Sequence, residues 1–136
     1  MTEAERVVRA YYAAFNAGDT EAFLALLTDD VVHGINQGLR EPGRAAFARF
    51  MDGMAECYEE QVADLVVLTE PTGRRAAAEF VVHGTYKRTA PGLPLATGQG
   101  YVLPAGAFFT LRDGQVARVD NHYNLEDWLR QVGGGR

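Results

Sequence analysis

Apolar residues recur at Val8, Tyr11, Tyr12 and Phe15, spacings of three and four that predict one face of a helix over residues 3–17. Asn16-Ala17-Gly18 stops it. Asp19 or Thr20 then caps a short second helix carrying Phe23, Leu24, Leu26 and Leu27. Asp29-Asp30 breaks the pattern, and VVHGIN (31–36) reads as a strand, followed by a loop, QGLREPG, punctuated by Pro42 and Gly43. A third helix is predicted from about Arg44 to Tyr58, with Phe47, Phe50, Met51, Met54 and Tyr58 as its buried stripe. A stripe containing methionine is ordinarily core packing.

Beyond Tyr58 the period changes to two. VADLVVLTE and RRAAAEFVVHGTYKRT read as strands joined at Pro71-Thr72-Gly73. APGLPLATGQG is a Pro/Gly loop, placed over the mouth of whatever cavity the sheet encloses. The segment YVLPAGAFFTLRDGQVARVDNHYNL gives two more strands folded at Asp113-Gly114, a strong hairpin signal. LEDWLRQV forms a last helical turn. Helices first and an antiparallel meander after them predict a single α+β domain over 1–132, with GGGR (133–136) as a frayed tail.

Composition narrows the function. The chain has 136 residues, 47% apolar and 23% charged, which suits one ordinary globular core. No apolar run approaches the ~20 residues that span a bilayer, and the polar N-terminus lacks the apolar stretch of a signal peptide. Cys57 is the single cysteine, so no intramolecular disulfide can form, which points to the cytoplasm. A net charge of −5 without a cationic cluster argues against nucleic acid and against a membrane surface. The expected partner is a small apolar molecule or a second copy of the chain.

Four segments in order resemble the ketosteroid isomerase and polyketide-cyclase-like branches of the NTF2-like superfamily, and most of all the SnoaL-like group related to steroid isomerases. They are YYAAFNAGDTEAFLALLTDDVV, PGRAAFARF, EFVVHGTYKRTAPGLPLATGQG and FFTLRDGQVARVDNHYNLEDWL. The resemblance implies a cystatin-like cone in which a curved, mainly antiparallel sheet wraps three helices from the N-terminal half. It also implies a homodimer through the sheet and chemistry without cofactor or metal. The family tyrosine, eight positions before Asp19, falls on Tyr11. The isomerase base falls on Ile35, the second acid on Ala107, and the cyclase acid/base on Asn124. None of those three side chains exchanges a proton near neutral pH.

Alternation nevertheless leaves polar side chains on inward faces. Val31, His33, Ile35 and Gln37 share one face of the first strand; Val119, Asn121 and Tyr123 share one face of the last. His33 and Tyr11 are the candidate catalytic residues; Ile35, Asn36, Asn121, Tyr123 and Asn124 are the candidate substrate contacts. Imidazole titrates near neutrality, so His33 reads as an acid/base, or as a buried core histidine. Tyr11 reads as a carbonyl donor or as a core aromatic. Asn36 alternates away from His33 unless the strand bulges at Gly34. Glu79 and His83 share one face of their strand, read as a dimer surface, and His122 is predicted to face away from the pocket. The three histidines lie on different strands, without the spacing of a zinc motif. Two functions remain open: a cofactor-independent isomerase, cyclase or dehydratase acting on a small apolar carbonyl compound, or a protein that binds a steroid- or polyketide-like compound without chemistry.

Overall fold

In the computed structural model, residues 1–133 are described, and the rest of the expected tail, 134–136, lies outside them. Helix α1 spans Glu3–Ala17, with Thr2 accepting from the Glu5 N–H at its start and Gly18 closing it at φ 68°. Its buried face, Val8, Tyr11 and Tyr12 among others, follows the predicted stripe. Helix α2 (Thr20–Ala25) is capped by Asp19 and buries Phe23.

Six strands form one sheet: β1 Leu27–Ile35, β2 Leu39–Pro42, β3 Tyr58–Thr69, β4 Arg75–Tyr86, β5 Gln99–Arg112 and β6 Gln115–Tyr123. Their order across the sheet is β2-β1-β6-β5-β4-β3. All neighbours run antiparallel except β1 and β6, which are parallel, with His33 opposite Val119. Helix α3 (Arg44–Cys57) lies between β2 and β3, and α4 (Leu125–Val132) closes the chain.

One face of the sheet carries Val31, His33, Phe80, Phe109 and Val119 into the main core beneath α1, α2 and α3. Tyr11 and Tyr12 pack there as a cluster, with ring centroids 4.6 Å from Phe23 to Tyr11 and 4.9 Å from Phe80 to Tyr12. Aromatic pairs at such spacings add to the area they bury. A second apolar cluster, Tyr86, Tyr101, Leu103 and Trp128, holds α4 against the far end of the sheet.

Three boundaries differ from the sequence expectation. The segment read as a loop contains β2, turned back on β1 through Gln37 (φ 76°) and Gly38 (φ 90°). Gln37 is not a residue type that announces a left-handed turn, and Pro42 is tolerated because β2 lies on the edge. Tyr58 belongs to β3 rather than to α3: its backbone is already extended (φ −134°, ψ 148°), with no glycine or proline to mark the change. The final helical turn is a helix of eight residues, nucleated by an Asn124 cap.

Candidate functional site

Between the inner face of the sheet and the helices lies a cavity of about 190 Å³. Its wall is mostly hydrocarbon and aromatic: Phe47, Phe50, Met51, Met54, Phe80 and Val82. Among the described residues no group of three or more His, Cys, Asp or Glu side chains is placed to hold a metal ion.

His33 comes into this wall because β1 alternates as expected. It is 2% exposed and lies flat on Phe47, ring centroids 4.0 Å apart and 4° from parallel, with Phe50 edge-on. The Asn121 amide nitrogen is 3.2 Å from His33 Nε2, and Nδ1 is buried without a partner among the described residues. Burial pushes the His33 pKa down to about 4, against a smaller upward pull from Asp120. The imidazole is therefore neutral at pH 7, and the expected titration near neutrality does not hold. Asp120 lies on the opposite face, over Gly34: a Cβ there would stand 2.0 Å from Asp120 Oδ1. Only glycine leaves room for that carboxylate, which also pairs with Arg118.

Four of the other polar side chains that line the cavity bear on its chemistry. Tyr11 and Tyr12 both line it, and burial raises both phenols well above their ordinary range, so they act as donors. The Tyr12 hydroxyl is buried and unpartnered. Asn36 also lines the wall although alternation placed it on the other face. It sits at the end of β1, where its Oδ1 accepts from the Tyr123 N–H (2.9 Å) while its Nδ2 stays buried and unpartnered. Glu60, on β3, is the fourth, and burial raises its carboxyl above the usual range.

The remaining candidates separate. Ile35, Asn121 and Tyr123 line the cavity with His33; Asn124 does not. Its Oδ1 instead accepts from the Asp127 N–H (3.1 Å) as the cap of α4. Ala107 faces inward, fully buried, at the position the resemblance gave to a second acid. His122 is among the residues lining the cavity, although its ring packs against Phe108; Glu79 and His83 stand exposed on the outer face. Sequence reasoning passed over Tyr12 as helix packing and did not single out Glu60. The signal for Glu60 was the alternation Tyr58, Glu60, Val62, hidden because Tyr58 also continues the helical spacing from Met54.

The comparison with curated proteins gives no match. Among solved structures, the chain is similar to a protein of Pseudomonas putida KT2440 provisionally named a polyketide cyclase: 61% identity, 97% of this chain and 98% of that one, TM-score 0.93. A second protein so named, from Xanthomonas campestris pv. campestris, is 56% identical over 96% of each chain, TM-score 0.93. An NTF2-like protein of Burkholderia xenovorans LB400 shares the fold at 18% identity, covering 96% and 95% of the two chains with a TM-score of 0.76. The architecture is thus NTF2-like. Residues 8–119 match the family of SnoaL-like domains, and the chain belongs to that family.

Proposed function

We propose that the protein is a cofactor-independent enzyme of the isomerase or cyclase kind, moving a proton on a small, largely apolar carbonyl compound held in the cavity. One observation carries this reading: Tyr12 Oη, His33 Nδ1 and Asn36 Nδ2, all in the cavity wall, are buried without partners. Each such group costs about 1–3 kcal/mol unless something satisfies it. An amide nitrogen can only donate, and a phenol readily donates. A wall of unpaired donors suits a ligand oxygen that accepts, as a carbonyl does, and suits an enolate better still.

His33 is the proton carrier in this scheme. A neutral imidazole has one nitrogen that holds a proton and one that accepts one, and Asn121 decides which. With the amide nitrogen toward Nε2, the proton sits on Nδ1; a half-turn of the amide puts its oxygen there, moves the proton to Nε2 and frees the Nδ1 lone pair. Nδ1 then takes the proton from the carbon beside the carbonyl, Tyr11, Tyr12 and Asn36 hold the enolate oxygen, and the imidazolium returns the proton to another atom. A base with a pKa near 4 is weak, but a carboxylate of similar basicity suffices in ketosteroid isomerase because the enolate is so well stabilised.

The test needs no knowledge of the natural substrate. Small cyclic ketones such as 2-tetralone are incubated in D2O, and deuterium uptake beside the carbonyl is followed by NMR. Wild type should exceed buffer, and His33→Ala should lose on the order of 10²-fold of that rate. Saturable binding with no exchange by any of the ketones would favour the binding-protein reading, which the apolar Ile35 at the base position supports.

A homodimer through the outer face of the sheet belongs to the same reading. Val66, Leu68, Val102 and Phe108 are exposed on that face, the last at 53%, and apolar patches of this kind usually mark contact surfaces. Phe108→Asp should halve the mass seen by light scattering; wild type already at monomer mass would remove the proposal.

A further inference from the structure

Glu60 stands at the end of the cavity away from His33, and the scheme above leaves it idle. It lines the wall beside Tyr58, Tyr123, Leu125 and Trp128. Its register neighbour on β4 is Gly84, and the neighbour of Gly84 on β5 is Tyr101. Gly84 has no side chain, so the Tyr101 ring crosses β4 and its hydroxyl donates to Glu60 Oε2. A Cβ at position 84 would stand 2.3 Å from Tyr101 Cζ and 2.5 Å from its Oη, well inside contact distance. Three strands therefore cooperate to fix one oxygen of a carboxyl, while the other, Oε1, has no hydrogen bond from the described residues. A surface glutamate needs no such arrangement.

The two polar ends are well separated. Asn121, which holds His33, lies opposite Ala107, and Tyr101 is six positions further along β5. At about 3.3 Å per residue that is ~20 Å of strand, which the inward reach of the side chains shortens. A small carbonyl group at His33 cannot also touch Glu60. Between the two ends the wall is Phe80, Val82, Leu103 and Ala105.

We propose that Glu60, fixed by Tyr101 across the Gly84 notch, is a second subsite that binds a hydroxyl group at the far end of an elongated apolar substrate whose carbonyl lies at His33. The proposal rests on the carbonyl reading of the His33 end and adds a substrate class to it: a ring or chain compound oxygenated at both ends. A hydroxyl suits the site because it pairs with a carboxyl in either protonation state. An ammonium would need the charged form, which burial disfavours.

The test compares two fluorescent ligands, 2-acetonaphthone and 6-hydroxy-2-acetonaphthone, by titration against wild type, Glu60→Ala, Glu60→Gln and His33→Ala. The hydroxyl should tighten binding to wild type about tenfold, the worth of one buried hydrogen bond. Glu60→Ala should erase that gain and leave 2-acetonaphthone within about threefold of wild type. Glu60→Gln, the near-isosteric variant that answers if alanine unfolds the chain, should keep part of it. His33→Ala should weaken both ligands alike and preserve their ratio. A gain that survives in both Glu60 variants, or a ratio of one in wild type, overturns the subsite. So does a 6-aminomethyl analogue that binds tighter than the hydroxyl one. If neither naphthone binds wild type, the carbonyl reading falls and this subsite with it; ligands that bind with a ratio of one sink the subsite alone.

Discussion

Burial shifts the two ends of the cavity in opposite directions. At one end burial pushes the His33 imidazole down to about 4, and at the other it pushes the Glu60 carboxyl up. Desolvation disfavours whichever form is charged, so it lowers the pKa of a base and raises that of an acid. Each end also has a tether that leaves one atom free: Asn121 holds His33 Nε2, and Tyr101 holds Glu60 Oε2. A glycine admits a neighbouring side chain near each end, with Asp120 seated over Gly34 and Tyr101 lying across Gly84. Hydrocarbon walls thus shift the titration of each group, and neighbouring side chains set its direction.

Stability against pH should separate the two ends most strongly. The folded pKa of His33 lies below its unfolded value of 6.5, so its contribution is full above pH 6.5 and is lost as pH falls through about 4. That loss has an upper limit of ~3 kcal/mol. Chemical denaturation at pH 7 and pH 4 should show that loss in wild type, and much less of it in His33→Gln. Equal losses in the two proteins would remove His33 from the explanation. Glu60 has the reverse sign: its folded pKa is raised, so it weakens the fold as pH rises through that value. Glu60→Gln should gain stability relative to wild type on the alkaline side.

The glycine notch comes next in size. Gly84→Ala drives a methyl into the Tyr101 ring and should cost about 1–3 kcal/mol in denaturant melts. Gly53→Ala, in open space on α3, should stabilise by about 0.5–1 kcal/mol. Similar effects at the two sites would mean that Tyr101 is not held as described. Smallest is Asn124→Ala, which removes the cap of α4 and should cost about 1 kcal/mol while leaving ligand affinity unchanged. A drop in affinity without a drop in stability would return Asn124 to the cavity.

What could be read from the sequence follows from how each residue announces itself. The bounds of α1 were legible because apolar spacing and Gly18 agree on them. His33 was placed inward by alternation alone, since β1 is regular around it. Asn36 escaped that rule because β1 ends at Ile35, and beyond the last paired residue the two-residue period no longer applies. Glu60 was hidden by Tyr58, which fits the stripe of α3 as well as it fits β3, and by pairings through Gly84 that join residues 41 apart in sequence. The neutrality of His33 was not legible either. Its cause is the rings of Phe47 and Phe50 against the imidazole, a matter of packing rather than spacing.

The most direct measurement is an NMR titration of His33 in protein labelled with ¹⁵N at histidine, its imidazole assigned by comparison with His33→Gln. The chemistry proposed here requires a ring uncharged at pH 7 that takes up a proton only as the solution approaches pH 4, with its nitrogen shifts moving when a ketone is added. An imidazolium present at pH 6 to 7, or ring shifts indifferent to every ketone tried, would contradict it.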